Sequence, residues 1–132
     1  LDRFADDVEW NMQGQIPFSG RRRGREQVRE FFALRDRLYR TDRFDVTDFI
    51  AQGDQVVVLG AERLTVRETG SHVEDRWAHL LTLREGSIIR ADLFHDTWAL
   101  AAAFGESEAE RRTRTGPMGV TEPPFSGHGG LP

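Results

Sequence analysis

Three short turns divide residues 44–96 of this 132-residue chain into runs that alternate apolar and polar residues. They are Gly53-Asp54, Thr69-Gly70-Ser71 and Glu85-Gly86. Short turns of this kind join neighbouring antiparallel strands. The runs between them, Phe44 to Ile50, Gln55 to Arg67, Val73 to Leu83 and Ser87 to Asp96, therefore read as consecutive strands of one meander.

Before the meander the period is different. From Gly24 to Arg40, Val28, Phe31, Phe32, Leu38 and Tyr39 recur at three- and four-residue steps, with charges between them. That pattern predicts an amphipathic helix with its apolar stripe on the sheet. Gln13 to Gly24, rich in Gly, Pro and Arg, reads as a loop. Leu1 to Val8 reads as the end of a helix and Val8 to Met12 as a short strand. Thr97 begins a last Ala-rich helix, Trp98 to Phe104. The expected class is α+β: a curved antiparallel sheet of four to five strands, wrapped on helices into a cone with an internal pocket. The expected domain is 1–104, followed by a flexible Gly- and Pro-rich tail, 105–132.

Composition narrows the chemistry. There is no cysteine, hence no disulfide or thiolate chemistry. All 18 basic side chains are arginine, which removes lysine Schiff-base mechanisms. A net charge of −4, with Arg21-Arg22-Arg23 as the sole basic run, argues against nucleic acid as a partner. No apolar run approaches the roughly 20 residues of a membrane span, and the default location is the cytoplasm. The histidines and carboxylates show no compact metal-ligand spacing, and neither a phosphate loop nor a nucleophile elbow is present. The expectation is no metal and no cofactor.

Polar residues in the last strand are the candidate chemistry, because a buried polar group is costly unless paired. Arg90, Asp92, Phe94 and Asp96 share one strand face; Ile89, Ala91, Leu93 and His95 share the other. In the preceding strand Trp77 and His79 share a face with Leu81. Asp96 also suits the start of the last helix as a capping carboxylate.

Several segments in order carry a family resemblance: FADDVEW at 4–10, FSGR at 18–21, GREQVREFF at 24–32, QGDQVVV at 52–58, LREGSIIR at 83–90 and FHDT at 94–97. Together they resemble the SnoaL-like group of polyketide cyclases and ketosteroid isomerase relatives, within the nuclear transport factor 2-like superfamily. The family places one long helix before the first of these segments; here it is expected to be absent or truncated. The resemblance implies a cone that takes a small, largely apolar molecule without a cofactor. It also implies a homodimer through the outer sheet face.

Three chemistries of that superfamily are tested residue by residue. The isomerase base would fall near Met12, and its protonated Asp near Ala78, so that design is missing. The epoxide-hydrolase pattern finds Glu62-Arg63 and Asp92, with Thr65 where a middle Asp belongs. The cyclase pattern needs an Asp whose pKa is raised by an apolar wall. The resulting expectation is Asp92 as acid/base and Arg63 orienting it, with Trp10, Phe32, Arg90, Phe94 and His79 contacting the ligand. The alternative is a non-catalytic ligand-binding or dimerising domain of the same fold.

Overall fold

The computed structural model describes residues 3–105. The proposed tail, apart from Gly105, lies outside the described residues. The elements are β1 (Phe4–Met12), β2 (Gly20–Arg23), α1 (Arg25–Leu38), β3 (Tyr39–Gln52), β4 (Gln55–Val66), β5 (His72–Arg84), β6 (Ser87–Phe94) and α2 (Thr97–Gly105). The architecture is α+β: one curved six-stranded sheet in the order β2-β1-β6-β5-β4-β3, with two helices. The sheet does not close on itself.

Strands β3 to β6 form the expected meander. Its last turn shows why two residues suffice: Glu85 and Gly86 both have positive φ, the primed-turn geometry that matches strand twist. The first third of the chain differs from the sequence expectation. Phe4–Met12 is one strand, because Val8, Trp10 and Met12 point to the core while Glu9 stays at the rim. Gly20–Arg23, expected in a loop, pairs with it as β2. Strand β1 runs parallel to β6, with Trp10 opposite Ala91 and Met12 opposite Leu93. The sheet is thus mixed, with six strands. Among the described residues β1 is the first element, and no helix is long and apolar enough to cross a membrane.

Helix α1 lies against one sheet face and buries Val28 and Phe31 there. Phe31 meets Trp10 and Phe18 edge to face, with ring centroids 5.4 and 5.7 Å apart. Such pairs add about 0.5–1.5 kcal/mol beyond their buried area. Helix α2 closes the end of the core with Leu100 and Ala103. Asp96 is its N-cap, accepting the Ala99 N–H at 3.1 Å. The face under α1 is therefore the inside, and strand parity assigns each later residue to inside or outside.

Candidate functional site

An apolar cavity of about 290 Å³ opens between α1 and the inner sheet face. Trp10 and Met12 of β1, Phe31 and Phe32 of α1, Phe44 of β3 and Leu93 of β6 supply much of its wall. Its polar lining is Arg35, Tyr39, His79 and His95. An apolar chamber with a few convergent polar groups is the usual form of a small-molecule site.

Behind those polar groups the sheet buries two carboxylates. Glu62 on β4 and Asp75 on β5 stand opposite each other in register, both facing inward, and both side chains have no exposed surface. Asp75 is held from two sides: its Oδ1 accepts the Asp96 N–H at 2.8 Å, and its Oδ2 lies 2.5 Å from His95 Nδ1. Glu62 Oε1 accepts from Arg35 Nη2 at 2.7 Å, while Oε2 has no hydrogen bond and lies 3.5 Å from His95 Nδ1. The opposite ring nitrogen of His95, Nε2, lies 3.0 Å from Nε2 of His79. His79 in turn stacks on Trp77 with centroids 4.3 Å apart.

The electrostatics follow from these contacts. Burial works against the Asp75 carboxylate, but the His95 hydrogen bond, the His95 charge and the Asp96 N–H together hold its pKa below the ordinary value. Burial raises the Glu62 carboxyl, and the neighbouring Asp75 adds to the rise, against the pull of His95 and Arg35. Burial also works against a charged His95, yet its bond to Asp75 and the nearby Glu62 carboxylate raise its pKa overall. Burial, then the charge of His95, pulls His79 down to about 3. One imidazole is thus stabilised as the cation and its neighbour as the neutral ring.

Glu62, Asp75 and His95 are metal-ligating types whose ligand atoms lie within 4.8 Å of one another. Two ligands on one ion, at about 2.1 Å each, stay about 3 Å or more apart. The 2.5 Å between Asp75 and His95 is a hydrogen-bond contact, too close for two ligands of one ion, and Arg35 and His95 already balance the two carboxylates. The arrangement suits a proton better than an ion.

The residues expected from sequence divide between the two faces. Trp10, Phe32 and His79 line the cavity. Asp92 and Arg63 are not brought together. Arg63 sits on the outer face, half exposed, 3.7 Å from Glu74. Asp92 also points outward, into a polar cleft with Asn11 and Arg90. Arg90 Nε donates to it at 2.9 Å and Asn11 Nδ2 at 3.0 Å. Burial works to raise the Asp92 pKa, but these two bonds prevail and hold it below the ordinary value. That is the reverse of the raised carboxyl expected there. Phe94 is 46% exposed on the same outer face. The physical reason is parity: Ala91, Leu93 and His95 take the inside, so Arg90, Asp92 and Phe94 cannot. The inner carboxylates, Glu62 and Asp75, were not among the expected site residues.

Comparison with known proteins agrees with this architecture. No curated protein matches the chain. Among solved structures, an NTF2-like protein of Burkholderia xenovorans is 28% identical, with a TM-score of 0.73 over 79% of each chain. An NTF2-like protein of Burkholderia thailandensis is 25% identical, with a TM-score of 0.75 over 80% of this chain and 82% of its own. TerC, co-crystallised with polyporic acid, is 28% identical, with a TM-score of 0.67 over 79% of this chain and 82% of its own. The SnoaL-like domain family matches residues 1–91, and with the NTF2-like fold established, the chain belongs to that family.

Proposed function

We propose that this domain binds a small, largely apolar molecule in the α1–sheet cavity and moves a proton on it, as a cofactor-free isomerase or cyclase. The fold commonly hosts small-molecule binding, isomerases and cyclases. The observation that carries the reading is a carboxylate–imidazole pair, Asp75–His95, sealed behind an aromatic chamber that His95 itself lines. Asp75 cannot move far, because the Asp96 N–H at the start of α2 fixes its other oxygen. It orients His95 and stabilises its cation, while the apolar wall excludes competing water. Among the described residues that line the cavity, Arg35 is the one arginine, suited to an oxygen that gains negative charge during the reaction. The co-crystallisation of TerC with polyporic acid, at 28% identity, supports a chamber of this fold as a ligand site.

The test is a ligand panel of apolar carbonyl compounds, followed by intrinsic tryptophan fluorescence for binding and by hydrogen–deuterium exchange into the ligand for turnover. Wild type should bind and exchange; Asp75→Asn should retain binding and lose about 10²–10⁴-fold of the rate, the usual share of acid–base catalysis. Binding without any turnover would instead leave a ligand carrier. The reading also includes a homodimer through the outer sheet face, where Leu59, Ala61, Ala78 and Phe94 line an apolar groove.

A further inference from the structure

We propose that His79 is the catalytic residue that touches the ligand, and that the Asp75–His95 pair reaches the cavity only by a proton relay through the His79 ring. This deepens the acid–base reading above and rests on it.

The argument begins with what each ring nitrogen can carry. Nδ1 of His95 lies 2.5 Å from Asp75 Oδ2, and a carboxylate can only accept there, so Nδ1 carries a hydrogen. The exchangeable position of His95 is therefore Nε2. That position is occupied: Nε2 of His79 stands 3.0 Å away, a nitrogen–nitrogen hydrogen bond that holds one proton. No ligand can take the proton of His95 without displacing His79. The remaining nitrogen, His79 Nδ1, has no hydrogen-bond partner among the described residues and is not one of the sealed polar atoms. The ring that carries it lines the cavity.

The tautomers follow. The charged groups around the pair are Asp75 on β5, Glu62 on β4 and Arg35 on α1, with the Tyr39 hydroxyl of β3 in the same chamber. The two carboxylates face His95, not His79. With His95 as the cation, its Nε2–H donates to His79, which must be neutral with its own hydrogen on Nδ1. In the forward step His79 Nδ1–H breaks as that proton passes to the ligand. His95 Nε2–H breaks as His79 Nε2–H forms. His95 ends neutral with its hydrogen still on Asp75, and the ligand gains one proton. Return of a proton from the ligand to Nδ1 reverses each bond and resets the pair, so an isomerisation needs no other reactant. Stacking on Trp77, at 4.3 Å and 25°, keeps the His79 ring in the plane that both transfers require.

The relay can be read without turnover. In protein labelled with ¹⁵N-histidine, the imidazole spectrum at pH 7 should show His79 neutral with its hydrogen on Nδ1, and His95 with a hydrogen on Nδ1. A His79 ring protonated on Nε2 alone overturns the relay and leaves the acid–base reading standing. In kinetics, His79→Gln should lower kcat by about 100-fold or more with KM within about threefold. Retention of kcat within threefold overturns the relay, because His95 would then be serving the ligand directly. If wild type binds ligands and exchanges nothing, the acid–base reading fails and the relay falls with it.

Discussion

Asp75 and His95 form the kind of pair whose members are each uncomfortable alone. Glu62 and Asp75 are sealed from solvent, and a buried charge is tolerated only when paired and hydrogen-bonded. The pairing has a consequence for stability against pH. His79 has a depressed folded-state pKa, about 3, so below its unfolded value near 6.5 the unfolded chain binds the extra proton and stability falls with falling pH. His95 has a raised folded-state pKa, so its contribution is fully present below about 6.5 and is lost as pH rises through the folded value. Each mismatched proton tilts the unfolding free energy by up to about 1.4 kcal/mol per pH unit. In urea titrations across pH 4.5 to 8.5, His79→Asn should remove the loss on the acid side of about 6.5. His95→Asn should remove the loss on the alkaline side. A variant whose pH profile merely parallels wild type would show that its histidine is not shifted as described.

At the scale of elements, the sheet depends on one strand glycine. Trp77 lies across from Gly60 on the inner face, and a Cβ there would stand 2.1 Å from Trp77 Cζ2 and 2.3 Å from the Asp45 carbonyl. One contact is a bulky, buried side chain and the other is backbone, so neither can yield cheaply. Gly60→Ala should cost about 1–3 kcal/mol, the usual range for overpacking a filled core. It should also disturb the Trp77–His79 stack, visible as a changed near-ultraviolet circular dichroism spectrum. An unchanged denaturation midpoint would refute the contact. The elements themselves were largely legible, since period and turn residues are local signals: helix α1, the meander and α2 all follow from spacing. Strand β2 was not, because a four-residue edge strand of Gly and Arg has no apolar alternation to show. The site was legible only in part. Trp10, Phe32 and His79 carry ordinary signs of an inner face. Glu62 and Asp75 are polar residues on inward parity, Asp75 two residues before Trp77 and four before His79, and that was the available signal. Asp92 stands out by its likeness to the family pattern, whereas the burial of Ala91, Leu93 and His95 puts it on the opposite face. Nothing in one strand reveals that His95 will meet residues of β4 and β5.

The whole molecule leaves its outer sheet face to be accounted for. That face carries the groove of Leu59, Ala61, Ala78 and Phe94, bordered by Asp48 of β3, Arg76 of β5 and Asp96 at the start of α2. A twofold contact places the same patch on both partners, so an apolar centre meets itself and charges of opposite sign can meet across the axis. Arg76 and Asp48, on different strands of the same face, provide such a pair. The proposed contact centres on side chains of the sheet face opposite the α1 cavity, and Trp77 and His95 reach the same groove from the inner side, so Phe94→Arg tests whether dimerisation and ligand binding are separable. In sedimentation at about 50 µM the wild-type chain should run as a dimer and Phe94→Arg as a monomer, with ligand affinity changed less than about threefold. The midpoint of thermal unfolding should rise with protein concentration for wild type and stay constant for the variant, because association stabilises only the folded chain. A wild type that is monomeric at that concentration, or a Phe94→Arg variant that remains dimeric, would remove this face as the interface. A variant that becomes monomeric and also loses its ligand would instead tie the cavity to the dimer through β5 and β6, the strands that carry Phe94 and Arg76 outside and His79 and Leu93 inside.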